Sequence, residues 1–128
     1  VVFTADSLMA MGCGRVFEGT RPQMWDSLQK LMALPADTVV CSGHEYTAAN
    51  AKFALTIDAD NPAVHARVAE INAKRAAGEA TVPSLLSQEL ATNPFLRAAD
   101  PVVQANLGMS GADPTAVFSE IRARKDNF

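Results

Sequence analysis

Three short stretches hold the residue types best suited to chemistry. In the first, the apolar run Val1 to Thr4 stops at Ala5-Asp6-Ser7, which puts the Asp6 carboxylate at the tip of an extended segment. In the second, Thr38 to Ser42 (TVVCS) stops at Gly43-His44-Glu45-Tyr46, which puts an imidazole at a second tip. A carboxylate and an imidazole meeting at strand ends are a hard oxygen and a borderline nitrogen, ligands that suit Zn²⁺, Fe or Mn²⁺. Each also has an ordinary role on spacing alone, since an Asp at a strand end commonly forms a turn and a lone His is commonly a surface group. In the third stretch, Arg122 and Lys125 stand at i, i+3 and share one face of a helix. On spacing alone such a pair near a helix C-terminus reads as compensation of the helix dipole.

The elements that position these groups follow from the punctuation of the chain. Val1 to Thr4 predicts a strand, and Gly12, Gly14 and Gly19 after it predict an irregular loop that lets a ligand approach the backbone. Thr20-Arg21-Pro22-Gln23 has the N-cap, early Pro and capping-box Gln of a helix start. Met24, Leu28, Leu31 and Met32 continue it at helical spacing, with Trp25 in its core and Pro35 beyond its end. A second strand at Thr38 to Ser42 completes a strand, loop, helix, strand unit, whose ligand sites gather at strand ends.

From Glu45 onward no further strand is expected. Helices are predicted over Glu45 to Leu55 and from Asn61-Pro62 to a C′ glycine at Gly78, with shorter ones near 101–107 and 114–125 opened by Asp100-Pro101 and Asp113-Pro114. Between them Pro83 and Pro94 break a traverse with one short helical turn, in which Phe95 is expected to be buried. Glu45 reads as a partner of the neighbouring His44 or as a first-turn carboxylate. His65 reads as a surface residue of its helix.

Composition narrows the function classes. With 128 residues and 48% hydrophobic side chains the chain can bury a core, as one domain or parts of two. A net charge of −3 offers no broad basic face for nucleic acid or an anionic membrane. Cys13 and Cys41 lack the spacing of a disulfide scaffold or a CxxC site, which predicts free thiols and a cytoplasmic location. No apolar run approaches the ~18 residues of a membrane span.

The wording of four blocks adds to this. FTADSLMAMGCGRVFEGT, CSGHEYTAANAKFA, TVPSLLSQELATNPFLR and RARKDNF stand in order along nearly the whole chain and resemble the C-terminal half of the glyoxalase II family. Members of that family are hydroxyacylglutathione hydrolases of the metallo-β-lactamase superfamily. The resemblance implies an α/β fold class, with residues 1–44 as the C-terminal part of a metallo-β-lactamase αββα sandwich and residues 45–128 as an all-helical, substrate-binding domain. It implies hydrolysis of S-D-lactoylglutathione to D-lactate and glutathione by a hydroxide held between two divalent metal ions, Zn foremost and Fe or Mn as alternatives. By the same resemblance Asp6 is the bridging carboxylate, His44 the terminal ligand of the second metal, and Arg15, Phe17, Tyr46, Arg122 and Lys125 contact glutathione.

Phe17 stands where many members have Tyr and removes one hydroxyl contact, worth about 1 kcal/mol. Ala5 stands where the family usually has Gly, a minor change if the backbone there is extended. The family's Thr-His-x-His-x-Asp-His run, which carries most of the metal ligands, is not in this sequence, whose only histidines are His44 and His65. A missing N-terminal half is therefore the expected packing partner, and the isolated chain is expected to be inactive and to associate or be marginally stable. The competing readings are a related superfamily thiolesterase and a non-catalytic module that binds glutathione or a partner chain.

Overall fold

A computed structural model describes residues 1–5, 7–14 and 20–128 of the chain. Among them the sequence reads out as a mixed α/β arrangement of five short strands and six α-helices. Strand β1, Val2–Ala5, lies parallel to β4, Val39–Ser42, and β5, Ser84–Leu85, adds to the far side of β4 antiparallel, giving the order β1-β4-β5. Helix α1, Arg21–Met32, makes the crossover between the two parallel strands. It begins where the sequence predicts: Thr20 Oγ1 accepts from Gln23 N while Gln23 Oε1 accepts from Thr20 N, and Trp25 and Leu28 form its buried face.

Four further helices follow the predicted openings closely. They are α2, Thr47–Ile57; α3, Pro62–Ala76, with Gly78 at φ +73 after it; α5, Pro101–Asn106; and α6, Pro114–Asp126. Asn61, Asp100 and Asp113 each accept the first free backbone N–H of their helix. Helix α2 opens two residues later than expected, which leaves Glu45 outside its first turn.

Two expectations are corrected. The glycine-marked loop contains a hairpin, β2 (Leu8–Met9) paired with β3 (Gly12–Cys13), and only its continuation at 15–19 lies outside the described residues. The region after Glu45 is not all helical, because β5 returns to the sheet and leads into α4, Leu86–Thr92, and a 3-10 turn at Pro94–Leu96. A two-residue strand leaves no periodicity for a sequence pattern to reveal.

The main core lies between the sheet and the helices, where Leu8, Trp25, Leu28, Val40, Phe95 and Phe118 meet. A second cluster, Met11, Ala51, Ala54, Val64 and Ile71, joins α2 to α3. Among the described residues the opposite face of the sheet is bare: Phe3 is 83% and Leu85 41% exposed, with half-buried Val39 and Cys41 between them in register. No helix of the described residues is long and apolar enough to cross a membrane.

Ala5 is not extended. Its φ is +46, at a register irregularity where β1 ends. A residue with a Cβ costs about 1 to 2 kcal/mol in this left-handed region, so the departure from glycine is a strained one. Ala5→Gly is expected to raise stability by about 0.5 to 1 kcal/mol after its extra unfolded-state entropy is counted. Urea denaturation checks this, and a lower midpoint for the variant would contradict it.

Candidate functional site

The parallel pairing of β1 and β4 brings two strand tips side by side. Gly43 N donates to Ala5 O at 2.8 Å, so the residue before Asp6 is bonded to the residue before His44. Asp6 itself, with Arg15 and Phe17, lies outside the described residues.

His44 and Tyr46 form a stacked pair, with ring centroids 5.1 Å apart and planes within 8° of parallel. Tyr46 is 53% exposed. Between the two, Glu45 holds the segment down. One carboxylate oxygen accepts from Thr81 N at 2.5 Å, the other from Thr81 Oγ1 at 2.6 Å, and Arg75 stands at 3.8 Å. Burial works to raise the Glu45 carboxyl, but the Thr81 bonds and Arg75 outweigh it and hold the group below its ordinary range. Glu45 lies before the first turn of α2, and its carboxylate is taken up by Thr81 and Arg75.

Arg122 and Lys125 both lie on α6, yet they face different surroundings. The Arg122 side chain is 3% exposed and its fork is occupied within the chain. Nη1 donates to Cys13 O at 2.9 Å and Gly14 O at 3.2 Å, while Nε and Nη2 reach Asp126 Oδ1 at 3.0 and 2.9 Å. Its plane also lies 5.1 Å from the Phe95 ring centroid. A carboxylate seeking this fork must compete with Asp126. Lys125 is half-buried, with Nζ 5.8 Å from the Phe53 ring centroid and 5.5 Å from that of Phe128. Dipole compensation therefore does not describe Arg122, which is a buried tie to the segment just before Arg15.

Both cysteines are free thiols, as expected. Burial pushes the Cys13 thiol up to about 12, although the adjacent Arg122 acts to lower it, so Cys13 is an inert core group.

Sequence reasoning missed a set of buried polar residues around the hairpin turn. Asn50, Glu89 and Asn93 are at most 5% exposed, and all three bond to the backbone between Met9 and Gly12. The signal available was polar residues standing within an otherwise apolar helical pattern.

Among the described residues no group of three or more His, Cys, Asp or Glu is arranged to hold a metal ion. His44 alone is no metal site, so the described residues do not complete one.

Residues 45–128 match the family described as hydroxyacylglutathione hydrolase C-terminus. Over 127 residues, 99% of the chain and 50% of the relative, the sequence is 70% identical to a hydroxyacylglutathione hydrolase of Ruegeria pomeroyi. It is 67% identical to that of Roseobacter denitrificans over the same shares. It is 61% identical over 128 residues to one from Cereibacter sphaeroides, covering 100% of the chain and 50% of the relative. The chain spans about half the length of the curated relatives it matches.

Proposed function

Because the chain belongs to the hydroxyacylglutathione hydrolase family, we propose that it is the glutathione-recognising half of an enzyme that hydrolyses S-D-lactoylglutathione to D-lactate and glutathione. The observation that carries this reading is the Gly43 N to Ala5 O bond, which sets the strands leading to Asp6 and His44 side by side. The stacked His44–Tyr46 pair stands at the same edge.

In this reading Arg15, Phe17 and Tyr46 hold the tripeptide and Lys125 meets its glycine carboxylate, while the buried Arg122 contributes by tying down the backbone at Cys13 and Gly14 that leads to Arg15. Tyr46 is a half-exposed residue with a hydroxyl to offer, and Lys125 brings the point charge. Holding the peptide at these points fixes the attached thioester relative to the strand tips, which converts binding energy into orientation. Asp6 and His44 are the ligands this chain would bring to two divalent ions, Zn foremost, with Fe or Mn accepted by the same donors. Such ions supply Lewis acidity and an acidified water when bound.

The remaining ligands belong to a further half of the protein, which packs on the bare sheet face carrying Phe3 and Leu85. The fold is then the C-terminal part of a metallo-β-lactamase sandwich followed by the substrate-binding region. Alone, the chain is inactive and prone to associate through that face. In the cell it serves methylglyoxal detoxification in the cytoplasm.

Calorimetric titration of glutathione into the chain tests the recognition role. Binding is expected, and Lys125→Ala is expected to weaken it about tenfold, the loss of one charge-assisted contact. No binding, or unchanged affinity in Lys125→Ala, would overturn the reading.

A further inference from the structure

Helix α3 buries one stripe, Val64, Arg67 and Ile71, at the i, i+3, i+7 spacing of an apolar face. The middle place is held by a guanidinium. The Arg67 side chain is 4% exposed, and arginine is seldom buried so deeply unless it is paired.

Here the pairing is half complete. Nη1 meets Glu70 Oε1 at 3.1 Å, whereas Nε and Nη2 have no hydrogen-bond partner among the described residues. Those two nitrogens form one edge of the guanidinium and present two parallel N–H bonds, the geometry that takes both oxygens of a carboxylate. Buried donors on a charged group are costly to leave unpaired.

The charge around that edge is unbalanced as well. Glu70 also serves Lys74 Nζ, 3.4 Å away, so one carboxylate faces two cations. Glu89 of α4 lies within the field of Arg67, but it accepts from Met11 N and Asn93 Nδ2 instead, and its Oε2 is itself without a partner. Burial pushes the Glu89 carboxyl above its ordinary range, which favours the neutral acid and leaves Arg67 uncompensated from that side.

Arg67 lines a cleft of about 340 Å³ between α3 and α4, large enough for a small molecule. Ala63, Ala66 and Ala91 give the cleft an apolar wall, and Ser87 brings an exposed hydroxyl. Glu70 is the acid among the lining residues, 42% exposed where a ligand from solvent would pass it.

We propose that the cleft between α3 and α4 is a binding site for a small aliphatic carboxylate, whose two oxygens take the free edge of Arg67 while its carbon chain lies on the three alanines. Phosphate, tetrahedral and without an apolar part, fits this lining less well. The site includes none of His44, Tyr46, Arg122 and Lys125, and it stands independently of the glutathione reading.

The test is calorimetric titration of the chain with butyrate, butyramide and inorganic phosphate at constant ionic strength, in the wild type, Arg67→Lys and Glu70→Gln, each shown to be folded by circular dichroism. Butyrate is expected to bind in the millimolar range, phosphate at least about threefold more weakly, and butyramide, the same shape without the charge, not measurably. Arg67→Lys keeps the charge but not the fork, and is expected to weaken butyrate binding about tenfold. Glu70→Gln removes the like charge beside the ligand, and is expected to strengthen it about threefold. If Arg67→Lys does not fold, Glu70→Gln and butyramide decide the matter. No butyrate binding to the wild type, equal binding of butyramide, or unchanged butyrate affinity in Glu70→Gln or in a folded Arg67→Lys would overturn the proposal. Phosphate binding as tightly as butyrate would overturn the carboxylate assignment.

Discussion

Phe95→Ala is expected to destabilise the chain by about 3 to 5 kcal/mol, the largest loss of any single side chain considered. Phe95 is fully buried where two ring–ring contacts and one cation–π contact converge. Its ring stacks on Phe53 at 5.9 Å, meets Phe118 edge-on at 6.0 Å, and lies under the Arg122 guanidinium. Phe118 passes the contact on to Trp25 of α1 at 5.6 Å. Removing the ring therefore opens a cavity between α2, α6 and the 3-10 turn, and the aromatic pairs lose about 0.5 to 1.5 kcal/mol each beyond their buried area. Against a total stability of about 5 to 15 kcal/mol, a loss of this size leaves a substantial unfolded fraction on mild heating. Phe128 is the control: it also touches Phe53 but is 63% exposed, so Phe128→Ala is expected to cost under about 1 kcal/mol. Denaturant midpoints for the two variants check this, and equal losses would contradict it.

Arg122→Ala is expected to cost about 3 kcal/mol and to weaken glutathione binding together with stability. The substitution strands two carbonyls, Cys13 O and Gly14 O, each a buried acceptor whose desolvation goes uncompensated at about 1 to 3 kcal/mol. It also takes from Asp126 a guanidinium 2.9 Å away. Because Asp126 is a third exposed, water recovers part of that loss, which keeps the total near the lower end of the range for a broken buried pair. Arg122→Lys separates shape from charge. One ammonium cannot span both carbonyls and the carboxylate, so its stability is expected to fall between those of the wild type and Arg122→Ala. Alkylation of Cys13 gives a local readout, since its buried thiol reacts only where the tie is loosened. Full stability and an unreactive Cys13 in Arg122→Ala would contradict this account.

Much of the fold was legible because its helices announce themselves locally. Thr20-x-x-Gln23, Asn61-Pro62, Asp100-Pro101 and Asp113-Pro114 are capping devices whose hydrogen bonds form within three residues, and each opens a helix where it stands. The two parallel strands were legible from their β-branched runs. What local pattern could not carry were the short pieces made by distant partners. Strand β5 exists because Thr38 and Ala36 accept from Leu86 and Ser87, and hairpin β2–β3 because helical side chains bond its turn.

The same division runs through the candidate site. His44 was legible from its place after an apolar strand and Tyr46 from the family resemblance, and the structure stacks their rings. The helical spacing of Arg122 and Lys125 was correct, but spacing could not tell that one guanidinium turns inward onto Cys13 and Gly14. The left-handed backbone at Ala5 was likewise invisible, because nothing in an alanine announces a positive φ.

The central claim, that this chain is the substrate-recognising half of a glutathione thioesterase, is tested most directly by reconstitution. The chain, with Zn²⁺ present, is assayed for S-D-lactoylglutathione hydrolysis alone and after refolding with the N-terminal half of the Ruegeria pomeroyi relative. The account predicts no turnover from the chain alone, and turnover from the pair on the glutathione thioester but not on a simple thioester lacking the tripeptide. Turnover by the chain alone, or a metal-loaded pair that fails to hydrolyse the glutathione thioester, would contradict it.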